Sequence, residues 1–286
     1  MLLEPAFLSR LERLALRTRE RLAGAYPGEH RSRRLGSSLD FADWRPYVEG
    51  DDFRRIDYQI YARLDRLVVR LFEAEEELLL RIVVDASASM GFEGKLAAAA
   101  RLAGAMAYLA ACRRDRARVF LVEAEGIRAS PWVRSRDSAV ALFSWLEEAR
   151  AGGASRLAAG LQRLSAAGGL PGMTVVIGDL LDEEWEKSVR RLAGPGAEGA
   201  IVHLLAPSEL DPTLRGDFAL VDSETERPLE VSLSDQVLRS YRQRAAAWVG
   251  TVAEACRRRG VRYVRMAPDD DLETLLLVQL RREGLV

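Results

Sequence analysis

The sequence predicts an α/β fold, a mainly parallel central sheet with helices on both faces. Short apolar runs, at 78–84 and 174–179 among others, recur between longer alanine- and leucine-rich stretches. Strand-length and helix-length runs alternate through the last two thirds of the chain, the pattern of β-α-β units. Two of the apolar runs end on aspartate, Asp85 and Asp179, the way strands end at the ligand-binding edge of an open sheet.

The elements follow in order. Residues 6–26 carry Leu8, Leu11, Leu14, Leu16 and Leu22 between arginines, an amphipathic helix that docks its leucine face on the protein's own core in preference to a membrane or partner. A turn at 26–29 and an exposed basic loop at 28–38 follow. Residues 39–66 are polar and aromatic without clear periodicity. Strands are expected at 66–73 and 78–85, with an acidic turn, Glu75-Glu76-Glu77, between them. Beyond these come a helix at 95–113, strands at 117–124 and 127–133, and helices at 138–149 and 156–166. A buried strand at 174–179, a helix at 183–192 and a strand at 200–206 continue the alternation. A small hairpin at 218–233, a long helix at 234–259, a strand at 261–266 and a helix at 272–282 complete it. This divides the chain into an N-terminal segment, 1–77, packed on a main domain, 78–286, with a hairpin insertion near 217–233.

A formal net charge of −1 gives no overall attraction to nucleic acid or anionic lipid. Of 42 basic residues only Lys95 and Lys187 are lysine, a skew attributed to genome composition. Cys112 and Cys256 form neither a disulfide framework nor a zinc site and read as small core residues. No signal peptide is recognised and no apolar stretch is read as long enough to span a bilayer, so a cytoplasmic location is expected. Phosphate-loop and nucleophile-elbow motifs are absent, and neither His30 nor His203 pairs with a credible nucleophile.

The most informative stretch is Val83-Val84-Asp85-Ala86-Ser87-Ala88-Ser89-Met90. One carboxylate and two hydroxyls leave the carboxyl end of a strand together. Such hard oxygen donors suit Mg²⁺ or Mn²⁺. Gly152-Gly153-Ala154-Ser155 opens a helix, and Ser155 serves either as its N-cap or as a further oxygen donor. Asp179 emerges at the same edge as Asp85 if their strands are neighbours; Asp182 is an alternative to it.

These three segments resemble the metal-ion-dependent adhesion site of the von Willebrand factor A fold. The resemblance implies a metal site of Asp85, Ser87, Ser89, Ser155 and Asp179, with hydroxyls binding directly, aspartates directly or through water, and one position open to a partner's carboxylate. Two residues depart from that pattern: Ser155 stands where threonine is usual, and Gly178 where serine is frequent. Upstream, Arg45-Pro46-Tyr47, Gly50-Asp51-Asp52, Arg55-Ile56-Asp57-Tyr58 and Ala62-Arg63 resemble the signature of the prokaryotic family called domain of unknown function 58. Arg45, Asp51, Asp52, Arg55, Asp57 and Arg63 read as a structural charge network, since paired Arg and carboxylate groups can lock a segment, with Trp44 and Tyr47 expected to anchor it by burial.

The resemblance implies a non-catalytic, metal-dependent adaptor that works with a MoxR-type AAA+ ATPase in assembling or activating a protein complex and grips an acidic client. The alternatives are a metal-dependent phosphoesterase built on Asp85 and Asp179, and a structural scaffold whose metal site stays empty.

Overall fold

A computed structural model describes residues 2–24, 41–72, 78–166, 172–193, 197–224 and 227–280. The expected turn at 26–29, basic loop at 28–38, acidic turn at 75–77 and last two residues of the final helix lie outside the described residues. The chain forms two compact units, one of residues 1–22 with 78–286 and one of residues 23–77.

The larger unit is built on a six-stranded sheet. Its strands are β3 (Leu79–Asp85), β4 (Arg116–Glu123), β5 (Gly126–Ala129), β6 (Gly172–Gly178), β7 (Ala197–Leu204) and β10 (Arg262–Met266), in the order β10-β7-β6-β3-β4-β5. All neighbours are parallel except β4 and β5. The strands are apolar on both faces because both faces are covered. Ile82 and Val84 point into one core beneath α3 (Lys95–Cys112) and α4 (Arg136–Glu147). Val83, Val122 and Val176 point into the other, with α5 (Leu157–Ala166), α6 (Trp185–Leu192) and α8 (Asp235–Arg257). This is the mainly parallel α/β sheet that the alternating pattern predicts. The hairpin of β8 (Gly216–Val221) and β9 (Pro228–Leu233) is also present and stands as a separate two-stranded sheet.

Three features differ from expectation. The last helix is short: α9 (Leu272–Thr274) gives way to a π-helical turn over Leu275–Leu280. A one-turn helix, α7 (Pro207–Leu210), follows β7 and is too brief for periodicity to reveal. The segment Ala88–Cys112 does have the length and composition to cross a membrane, correcting the reading that no stretch reaches that length; 83% of its most apolar window is buried inside the unit. Alanines on all sides of α3 account for both observations, since they raise apolar character and let the sheet and neighbouring helices approach closely.

Helix α1 (Pro5–Gly24) docks through Phe7, Leu11 and Leu14, with Leu3 just before it, all buried. Glu12 accepts a 2.6 Å hydrogen bond from Tyr108 Oη of α3 and lies 3.5 Å from Arg136 of α4. Cys256 is buried and Cys112 half-buried at the edge of this packing.

In the smaller unit, β1 (Phe41–Pro46) pairs antiparallel with β2 (Val68–Phe72), and between them lie a 3-10 turn (Phe53–Arg55) and α2 (Tyr58–Leu64). Sequence periodicity misses β1 and α2 because polar contacts order them. Asp57 is buried; its Oδ1 accepts from Gln59 N and Ile60 N and so caps α2. Its Oδ2 accepts from Arg70 Nε at 2.8 Å and Trp44 Nε1 at 3.1 Å, two residues directly opposite in the ladder. Trp44 is therefore held by its indole N–H while 45% exposed, rather than by burial. Arg45 pairs with Asp51 through two 2.6 Å bonds. Asp52 caps the 3-10 turn through Arg54 N. Arg55 lies half-buried in that turn and Arg63 exposed on α2, while Asp57 takes Arg70 as its partner.

Two outcomes are expected. Leu11→Ala should cost about 2–5 kcal/mol in denaturant unfolding, whereas exposed Arg13→Ala should stay within about 0.5 kcal/mol. Hydrogen bonds from Arg70 and Trp44 hold the Asp57 carboxyl well below the ordinary aspartate range. Its contribution to stability is then fully present above about pH 4 and is lost as pH falls below that. Hydrogen exchange should show amide protection at Gln59 and Ile60 at pH 7 in the wild type and its loss in Asp57→Asn.

Candidate metal-binding site

The site forms where the sheet changes direction. From β3 the chain moves through α3 to β4 on one side, then returns through α5 to β6 on the other. The carboxyl ends of β3 and β6 thus open a crevice at the switch point, where open α/β sheets hold ligands. Val84 pairs with Ile177, which puts Asp85 beside Gly178 and Asp179 one residue further along the same edge.

Asp85 and Ser87 are buried, Ser89 and Ser155 half-buried. Ser87 N donates to Asp85 Oδ1 at 2.9 Å, closing a tight turn that aims both serine hydroxyls into the crevice. The Ser87 and Ser89 hydroxyls are 3.1 Å apart, and Ser155 Oγ donates to Asp85 Oδ2 at 3.0 Å. Two backbone bonds splice the loops: Ala88 N to Gly153 O at 2.8 Å and Gly152 N to Ala86 O at 2.9 Å. Gly153 is required here, with φ +68 and a position where a Cβ would collide with Ala124. Gly178 leaves room for Asp85, whose Cβ would lie 2.9 Å from a Cβ at 178.

Asp179, 1% exposed, is held differently. Its Oδ2 accepts from Lys95 Nζ at 2.7 Å, and its Oδ1 from Leu181 N at 3.2 Å. Lys95 is fully buried and also reaches Glu209 Oε1 at 2.5 Å. Glu209, on α7, is fixed in turn by Ala206 N at 2.7 Å. His203, also fully buried, contacts the Asp179 carbonyl through Nε2 and Tyr263 Oη through Nδ1, each at 2.8 Å. A carbonyl only accepts, so Nε2 carries a proton. Burial pushes its pKa down to about 4. Asp182 lies close enough to feel the charge of Asp179, and its buried Oδ2, with the Ser155 side chain near, makes no hydrogen bond of good geometry among the described residues. Burial, with the charge of Asp179 adding to it, pushes the Asp85 carboxyl up to about 6 against the pull of Ser87 N–H.

The five expected residues therefore come together, although Asp179 is engaged by a lysine. The donor set fits a small hard cation. Oxygens 2.0–2.1 Å from an octahedral Mg²⁺ are about 2.8–3.0 Å apart along an edge, close to the two hydrogen-bonded separations of 3.0 and 3.1 Å, so small shifts would admit the ion. The orphaned Asp182 oxygen marks a polar atom in the crevice that a cation could satisfy. Sequence reasoning missed Lys95 and Glu209. The signal for Lys95 was available, a lysine just after the serine motif in a chain that otherwise uses arginine. Glu209 gave none.

The family described as "Protein of unknown function DUF58" matches residues 43–251. The "Uncharacterized protein Rv1480" of Mycobacterium tuberculosis and the "Uncharacterized protein Mb1516" of Mycobacterium bovis are each 27% identical, over 98% of this chain and 92% of their own. Among solved structures, BatB from Bacteroides thetaiotaomicron is 12% identical, with 73% of this chain and 100% of that one covered and a TM-score of 0.45. The SpRpn10 VWA domain is 12% identical over 71% of this chain and 95% of its own, with a TM-score of 0.41. The fold assignment rests on the strand order and crossover described above.

Removing the ammonium should expose how much the edge depends on it. Lys95→Met leaves the buried Asp179 unpaired and should destabilise the protein by about 3–5 kcal/mol in chemical denaturation. Adding Glu209→Gln to that variant should recover part of the loss.

Proposed function

The chain belongs to the family described as protein of unknown function DUF58, and from that premise we propose that it is a non-catalytic adaptor that grips a protein partner through a divalent cation, Mg²⁺ or Mn²⁺. The observation that carries the reading is the set of close oxygens at one sheet edge, Ser155 Oγ on Asp85 Oδ2 at 3.0 Å and the Ser87 and Ser89 hydroxyls 3.1 Å apart on the loop that leaves Asp85. The cation would supply a Lewis-acidic point able to bind one more oxygen. Asp85 and the three hydroxyls would hold it directly. Asp179, its oxygens turned to Lys95 and Leu181 N, would act through water. A partner's acidic side chain would complete the shell, with the neighbouring exposed Phe92 and Leu181 as apolar flanks. A MoxR-type AAA+ ATPase is the partner the family resemblance suggests, in the cytoplasm.

One observation favours a second reading, a scaffold that works without metal: Lys95 already places a positive charge against Asp179. The adaptor reading is preferred because Lys95 leaves the Asp85 hydroxyl cluster and the Asp182 oxygen without a cation. A phosphoesterase gains no support. His203 has both ring nitrogens engaged and faces the backbone of Asp179, away from the crevice hydroxyls.

Thermal unfolding after EDTA treatment and then with added Mn²⁺ separates these readings. A ligand at about 100 times its dissociation constant stabilises the native state by about 2.7 kcal/mol. The wild type should show a metal-dependent rise in Tm that Asp85→Asn lacks. An unchanged Tm across the Mn²⁺ range would favour the scaffold.

A further inference from the structure

The hairpin β8–β9 carries a carboxylate into the crevice. Glu224, in the turn after β8, accepts a 3.2 Å hydrogen bond from Ser155 N through Oε1. It is half-buried, and its own N–H donates to Asp222 Oδ1 at 2.9 Å, which stiffens the turn that presents it. Ser155 is the residue whose hydroxyl meets Asp85, so Glu224 sits on the backbone of one donor in the proposed shell. The rest of the hairpin is largely exposed on both faces, so packing against the sheet does not explain why its turn reaches here.

Asp179 has Oδ2 on Lys95 and Oδ1 on Leu181 N. Asp182 spends Oδ1 on Glu184 N at 2.6 Å and keeps a buried, unpartnered Oδ2. Glu224 has one oxygen on Ser155 N and sits on a hairpin whose strands are largely exposed. Resting on the adaptor reading, we propose that Glu224 is an internal ligand: without a partner, its carboxylate fills the coordination position that a partner's acidic side chain takes when it docks. Docking is then an exchange of one carboxylate for another, and the hairpin is the element that moves aside. An exchange of like for like leaves the cation's charge balance unchanged, so selectivity falls to the surfaces that flank it.

The test uses the full chain and Mn²⁺ alone. Binding is measured by titration calorimetry, and exchangeable water on the bound ion by proton relaxation, for the wild type, Glu224→Gln and the hairpin control Glu230→Gln. Glu224→Gln should bind Mn²⁺ at least about tenfold more weakly and gain one exchangeable water, which added acetate displaces. Glu230→Gln should match the wild type in both. Equal affinity and hydration in the wild type and Glu224→Gln would overturn the internal ligand while leaving the metal site standing. No Mn²⁺ binding by the wild type would overturn the adaptor reading itself.

Discussion

The contact between Lys95 and Asp179 is the constraint on which the functional edge depends. An ammonium with no solvent exposure survives only beside carboxylates, because the desolvation of an unpaired charge costs several kcal/mol. Its position makes the demand stronger. Lys95 is the first residue of α3, where the helix dipole disfavours a cation. Asp179 from the end of β6 and Glu209 from α7 together satisfy it. Three segments far apart in sequence are thus tied to one nitrogen, and the serine loop that leads into α3 is fixed as a result.

Around that tie the crevice divides its labour. Asp85 and the serine hydroxyls form a neutral-donor pocket with a single carboxylate, on rigid backbone spliced by bonds between the two loops. Asp179 is already matched with a positive charge and supports the pocket from outside. Neutral His203 holds the Asp179 carbonyl from the far side of the sheet edge, packed edge-on against Trp248 and Tyr263. Leu180, between Asp179 and the exposed Leu181, adopts φ +54 and is nonetheless fully buried. Backbone strain held in place by burial of this kind keeps a functional loop in one conformation. With Asp85 as the one fixed carboxylate and Glu224 exchangeable, a bound Mg²⁺ or Mn²⁺ would remain open to a partner's acid. That fits gripping a partner better than attacking a substrate.

The smaller unit shows a different logic. Its order comes from polar pairs rather than a core. Asp57 alone caps a helix, receives an indole N–H and pairs with an arginine from the adjacent strand. Such an arrangement leaves large apolar side chains, including Phe53 and Tyr58, on the surface. It also explains why hydrophobic periodicity reads residues 39–66 as irregular although they contain β1 and α2.

By itself the sequence determined the alternating α/β architecture, because strands covered on both faces must be continuously apolar and covering helices must be periodic. It also determined the pocket's own donors, since an aspartate and two alternate serines at a strand end carry their geometry within a few residues. Only the tertiary structure decided what Asp179 does, because that depends on strand order and on a lysine 84 positions away in the chain. The roles of Glu209 and Glu224 belong to the same class. Each reaches the site from a short turn or an exposed hairpin, where neither periodicity nor local spacing marks a carboxylate as different from any other on the surface. Long-range electrostatic pairing leaves no local pattern, so it becomes visible only once the sheet has brought the partners together.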